Sequence, residues 1–241
     1  MSTVIFDGHD LGTLFVVDHD VARSIPSWTP TTHEVPGRDG TLFGGTHADD
    51  TSVTVRLWAI DDTLDARREA LRTLAAWLAV DSRRELVLGD EGGLRRMAVP
   101  TTMGDVASLY DADSIDVTFE CEPVMYGSPA SLRLTASERT KTVAVGGTAP
   151  TMPAISVTGA TKDSTLGLWR LSVDGTQLLD VTLPASTAAI EADCAARTLR
   201  VNGTVEALAM TADWLVLEPG VHTLAMAGSG TCDVTWVERW W

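Results

Sequence analysis

Hydrophobic and polar residues alternate with a period of two over most of the chain and with a helical period in one place. Residues 51–60 form the clearest strand of the first half. Val53, Val55, Leu57 and Ala59 fall on one face, and Thr54, Arg56, Trp58 and Ile60 on the other. Residues 114–121 repeat the pattern, with Ile115, Val117, Phe119 and Cys121 together. Shorter runs at 4–6, 14–17, 85–89 and 94–99 also read as strands, the last two joined through Asp90-Glu91-Gly92-Gly93. Residues 18–33 read as a strand with irregular flanks. Between 61 and 80 the period lengthens. Leu64, Leu71, Leu74, Ala75 and Leu78 share one helical face, Asp61-Asp62-Thr63 offer N-caps, and Arg67, Arg68 and Arg72 lie largely opposite.

Beyond Tyr126 the composition shifts. Ser128-Pro129-Ala130-Ser131 reads as a connector, dividing the chain into domains 1–128 and 129–241. The second half shows no helical pattern and many turn signals. Asp174-Gly175 and Asn202-Gly203 each sit between short apolar runs, which is the signature of two-residue hairpin turns that need φ > 0. Glu218-Pro219-Gly220 separates apolar residues 214–217 from 221–224. Regularly spaced short strands predict an antiparallel β-sandwich of jelly-roll or galectin-like type.

One loop of the first half is unusually constrained. In Pro36-Gly37-Arg38-Asp39-Gly40, proline fixes φ, the two glycines permit φ > 0 and Asp39 can close a turn. Arg38 then projects from a stiff support, which suits an architectural contact better than chemistry.

Charge narrows the function. The 241 residues hold 18 Lys+Arg against 33 Asp+Glu, a formal −15. That balance argues against specific nucleic-acid binding and against an anionic membrane surface. It suits a wall past which nucleic acid slides. No apolar run approaches the length of a membrane span, and residues 1–7 lack the basic start of a signal peptide. Cys121, Cys194 and Cys232 are odd in number and lack C-x-x-C spacing, so they read as reduced and mostly buried, in a protein assembled in the cytoplasm.

No chemistry-bearing constellation stands out. His9-Asp10, Asp18-His19-Asp20 and His47 with Asp49-Asp50 read as solvated loops rather than metal ligands. Asp111-Ala112-Asp113 lacks the glycine and distal glutamate of a calcium loop. Gly44-Gly45 and Gly146-Gly147 lack the Lys-Ser/Thr of a P-loop, and Gly228-Ser229-Gly230 is no nucleophile elbow. No catalytic residue, metal or cofactor is assigned, and the chain is expected not to be an enzyme. Among the eight tryptophans, Trp214 and Trp236 alternate with strand apolars and read as core. Trp169 is the candidate for stacking on a sugar, and Trp240 with Trp241 is expected to dock on a neighbour.

Taken in order, several short motifs resemble one family. They are the opening strand ending in Asp7-Gly8, then Val35-Pro36-Gly37-Arg38-Asp39-Gly40, the 51–60 strand, and the Arg-rich helix ending Leu74-Ala75-Ala76-Trp77-Leu78. Next come the Leu-rich hairpin and Val117-Thr118-Phe119-Glu120-Cys121-Glu122-Pro123 with Tyr126-Gly127. Together they resemble the N-terminal domain of the distal tail (Dit) proteins of siphoviruses. The resemblance implies an N-terminal β-sandwich or split-barrel domain with one helix that forms a ring, and a galectin-like C-terminal sandwich outside it. It implies a structural, virion-located tail-tip or baseplate hub protein, hexameric as the family is, joining the tail tube protein to the tail-tip protein and letting DNA pass. Residues Pro36 to Gly40 would then form a subunit contact or a sheet corner, with Arg38 bonding a neighbour. The competing reading is a carbohydrate-binding adhesion protein that recognises a host glycan through the C-terminal sandwich, with Trp169 in contact.

Overall fold

A computed structural model describes residues 3–18, 21–60, 63–104, 114–184 and 187–241. The chain forms two compact units, residues 1–126 with Trp241 and residues 127–240.

In the first unit the strands are β1 (Val4–Phe6), β2 (His9–Asp10), β3 (Phe15–Val17), β4 (Ala22–Arg23), β5 (Trp28–Glu34), β6 (Thr41–Ala48) and β7 (Thr51–Ala59). Helix α1 (Leu64–Leu78), β8 (Arg84–Leu88), β9 (Arg95–Met103) and the start of β10 (Ser114–Leu134) follow. The hydrogen-bonded order is β2-β1-β8-β9-β10-β7, with β3 and β4 both paired to β7. In a flat sheet β1 and β10 would lie roughly 14 Å apart, at about 4.8 Å per strand. The rings of Phe6 on β1 and Phe119 on β10 are nevertheless only 5.0 Å apart. The sheet therefore curls on itself and encloses Val4, Phe6, Val55, Leu57, Leu86, Val117 and Phe119.

Helix α1 adds Leu71 and Leu74 to this core, and the Thr63 hydroxyl caps it by accepting from the Ala66 N–H. Leu64, placed on the packed face by its period, is 53% exposed because the first turn runs past the core.

The second unit contains the end of β10, β11 (Thr140–Val145), β12 (Ala154–Thr161), β13 (Trp169–Val173), β14 (Gln177–Val181), β15 (Ala188–Asp193) and β16 (Thr198–Val201). It closes with β17 (Thr204–Glu206), β18 (Gly220–Ala227) and β19 (Ser229–Trp240). One sheet runs β17-β16-β15-β12-β19-β10 and the other β11-β18-β13-β14. Ile155, Val157, Ile190, Val234 and Trp236 from the first meet Leu171, Val173, Leu224 and Met226 from the second in one core. The fold is therefore mainly β, built from antiparallel sheets, with a sandwich in its second unit.

The hairpin turns follow their sequence signatures. Asp174 and Gly175 have φ of 51° and 70°, Asn202 and Gly203 have 52° and 80°, and Asp7 and Gly8 have 47° and 79°. Two local readings do not hold. Residues 128–131 are not a connector but part of β10, because pairing with β19 overrides the turn tendency of Ser-Pro. Residues 214–217 are not a regular strand either, although Leu215 and Leu217 are fully buried. The Val216 N–H donates to the Gln177 side chain at 2.8 Å, and the Asp213 N–H to the Leu178 carbonyl at 2.8 Å. The segment thus lies along β14 and covers its edge.

Candidate functional site

Strands β5 and β6 pair only with each other among the described residues, from Trp28 opposite Ala48 to Glu34 opposite Thr41. Their register slips between Thr31 and Thr32, which leaves Gly44 as the extra residue of a bulge. A side chain at Gly44 would press on the His33 ring at 3.3 Å, so glycine fits the bulge sterically.

All seven residues of β5 are exposed. So are Phe43 at 68%, Trp28 at 51% and Leu42 at 40%, together with Val35 at the tip. A two-stranded hairpin has little stability of its own in water. This one also presents aromatic surface to solvent and two unpaired edges of N–H and C=O groups.

The hairpin tip is the constrained loop. The Arg38 N–H donates to the Val35 carbonyl at 3.1 Å, with Pro36 and Gly37 between them. Gly37 has φ of 81°, as the third position of a type II turn requires, and Gly40 has φ of 78°. Pro36, Gly37, Arg38, Asp39 and Gly40 are all exposed. Arg38 has no ion-pair partner among the described residues, so its guanidinium is available to another chain.

The base is stitched by polar contacts. Asp49 accepts from the Ser27 hydroxyl at 2.8 Å and the Thr29 hydroxyl at 2.7 Å, and its N–H donates to the Ser27 carbonyl at 2.8 Å. The hydroxyls, Thr29 first, hold the Asp49 carboxyl below the usual carboxylate range. His47 lies 3.4 Å from Asp49. Asp50 pairs with Arg83, which also reaches Glu120 at 3.4 Å and Glu122 at 3.8 Å. Trp241 packs edge-on against Trp28, with ring centroids 5.8 Å apart.

The other polar groups noted in the sequence have local structural contacts. Asp10 caps the short 3-10 turn at Leu11–Thr13 by accepting from the Gly12 N–H at 2.8 Å. His9 stacks on Trp77 at 4.6 Å. Asp111 to Asp113, and His19 with Asp20, lie outside the described residues. Trp169 is fully buried in the core of the second unit and has no exposed ring face for a sugar, which corrects the sequence reading. Its neighbours on β13 explain the burial: Trp169, Leu171 and Val173 all point into the sandwich. The sequence reading missed the exposed Trp28 and Phe43. The signal that could have revealed them is Leu42-Phe43, two adjacent large apolars that break alternation beside the glycines of the bulge.

Charge separates the units. Residues 1–126 carry 22 acidic against 10 basic side chains, a formal −12, and residues 127–241 carry 11 against 8, a formal −3.

Residues 9–121 match the phage tail protein RIFT-related domain, and residues 146–240 match the C-terminal domain of siphovirus-type tail components. No curated protein sequence matches the chain. Among solved structures, the fold is similar to that of SPP1 Dit (gp 19.1), a protein described as a paradigm of hub adsorption apparatus in Gram-positive infecting phages. The identity is 21%, each chain is covered to 99% and the TM-score is 0.75. It also resembles a chain of the phage P2 baseplate in its activated conformation with Ca, at 8% identity, 99% and 98% coverage and a TM-score of 0.50. With both units matching domains of siphovirus tail components, the chain belongs to the siphovirus distal tail (Dit) family and is a structural component of the phage tail and its virion.

Proposed function

We propose that this chain assembles into a ring, hexameric by analogy with its family, that joins the tail tube to the tail-tip or receptor-binding apparatus and lets DNA pass. The observation that carries this reading is the β5–β6 hairpin. It pairs only with itself among the described residues, exposes Phe43, Trp28 and Leu42, and ends in a stiff turn that presents Arg38, which has no ion-pair partner among the described residues. A second copy of the chain supplies what it lacks: apolar cover for the aromatics, a carboxylate for Arg38, and backbone partners for the strand edges.

The charge asymmetry supports the passage role. Six first units would carry 6 × −12 = −72, a repulsive field for a polyanion if those carboxylates line the lumen. The tail tube protein and a tail-tip protein are the expected partners on the two faces of the ring. The name of SPP1 Dit, which speaks of a hub adsorption apparatus, fits the same role.

The mass of the particle in solution tests the proposal, alone and with the tail-tube partner added. A discrete multiple of the monomer mass is expected, reduced to monomer by Arg38→Ala while the thermal midpoint of the monomer is retained. A chain that stays monomeric under both conditions, or an R38A variant that loses folding and assembly equally, would remove the hairpin from the interface.

A further inference from the structure

The β5–β6 hairpin is an arm that joins the rest of the first unit through two short crossings, residues 24–27 on entry and 49–51 on exit. Trp28 at its root and Pro36 at its tip are eight residues apart. At about 3.3 Å per residue the arm reaches about 26 Å. A swing of about 10° at the root would carry the tip about 4–5 Å, more than the length of a hydrogen bond. What Arg38 can touch is therefore decided at the root of the arm.

Two arginines outside the arm grip that root. On the entry side the Arg23 Nη2 donates to both carboxylate oxygens of Asp90, in the β8–β9 turn, at 2.7 Å, and its Nε lies 3.3 Å from Glu91. Glu91 is fixed in turn by the buried Arg96 at 2.7 and 3.1 Å. Ser24 extends the grip: its N–H donates to the Ser52 carbonyl at 2.9 Å, and its Oγ accepts from the Ser52 N–H at 2.7 Å. Ile25 follows, biased to extended backbone by Pro26, which is itself buried. On the exit side Arg83 pairs with Asp50 and reaches Glu120 at 3.4 Å and Glu122 at 3.8 Å. Those three carboxylates share Arg83. Without it they repel one another, and Asp50 is pushed away from Glu120 and Glu122 on β10.

From this lever geometry we infer that Arg23 and Arg83 are positioning residues: they aim the arm, and copies of the chain associate only while that aim is kept, without either side chain having to touch the partner. The inference rests on the arm being a subunit contact, as proposed above. Because both arginines lie outside the arm, its aim and the association can be measured apart.

The test places spin labels at Asp39→Cys on the tip and Arg72→Cys on α1 of the full chain, in dilute solution, and reads their distance distribution by pulsed electron paramagnetic resonance. The three native thiols are buried and stay unlabelled. One narrow distance is expected. Arg83→Ala and Asp90→Asn leave every residue of the arm in place and should broaden that distance by about 4–5 Å, the swing of the lever. Arg83→Lys keeps the charge without the planar fork and should fall between. Sedimentation of the unlabelled variants, with the monomer folded, should show self-association weakened at least about tenfold, the loss of one charged hydrogen bond at Arg38. An unchanged distribution in both variants overturns the inference, and so does a broadened one with unchanged association. A parent chain that stays monomeric counts against the arm as a subunit contact, and the distances alone then decide whether the two arginines aim it.

Discussion

The two units of this chain solve the problem of apolar surface differently. The second encloses its large aromatic side chains Trp169 and Trp236 between two facing sheets and exposes only aliphatic ones, Leu166, Val205, Met210 and Val221, among its described residues, and even its irregular segment 207–217 delivers Leu215 and Leu217 to the core. The first encloses a core as well, yet leaves Ile25, Trp28, Leu42, Phe43 and Ile60 at least 40% exposed. It also carries most of the net negative charge. A unit that keeps aromatic surface outside while repelling its own copies through charge needs a specific contact to associate, and the hairpin is the contact we propose. Among the described residues the second unit has no two-stranded sheet that pairs only with itself, so its stability should be self-contained.

The contrast can be broken most forcefully in the second unit's core. Trp169→Ala removes a fully buried indole and should cost about 3–5 kcal/mol of unfolding free energy, read from urea denaturation. A change under about 0.5 kcal/mol, typical of surface positions, would mean that Trp169 is not where the structure puts it.

Phe43→Ser addresses the other side. Covering a phenylalanine is worth about 1.5–3 kcal/mol, so self-association should weaken roughly 10- to 150-fold while monomer stability hardly moves. Sedimentation across a dilution series reads the first and thermal melting the second. Unchanged association would leave the exposed aromatic without a role.

A third variant tests how closely the second unit is packed. A side chain at Gly127 would lie 2.5 Å from the Trp240 ring, so Gly127→Ala should cost about 1–3 kcal/mol through displacement of that ring. A neutral result would show that Trp240 is free to move.

The smaller effects are electrostatic. His222 donates from Nδ1 to Asp174 at 2.7 Å and from Nε2 to the Glu218 carbonyl at 2.7 Å, so it joins two turns as the imidazolium. The Asp174 contact raises its pKa above the ordinary histidine value of 6.5, and the resulting stabilisation is complete below that value and lost as pH rises through the folded pKa. Asp174 runs the other way. The Thr223 N–H, then His222, lowers its pKa from 3.8, so its contribution is present above 3.8 and lost as pH falls through the folded value. Between these limits the melting temperature should be highest, and His222→Gln should flatten its decline towards alkaline pH. An identical pH profile in that variant would exclude the staple.

Least visible of all, the three thiols should resist labelling in the native state. Burial pushes Cys121 and Cys194 up to about 11 and Cys232 up to about 12. Rapid modification of any of them in the folded protein would contradict the burial.

The sequence by itself determined whatever depends on near neighbours. Alternation fixed β7 and the first part of β10, the Thr63 cap and apolar spacing fixed α1, and Asp-Gly and Asn-Gly fixed three hairpin turns, because each rests on local sterics and hydrogen bonds. The Pro-Gly turn at Arg38 was legible for the same reason. The tertiary structure alone decided what depends on distant residues. Residues 128–131 became strand because β19 pairs with them, Trp169 became core because a second sheet lies over it, and Phe43 stayed outside because β6 pairs only with β5 and no other described layer covers it. Burial is a property of what packs opposite a residue, and a one-dimensional pattern records only which side of the strand that residue is on.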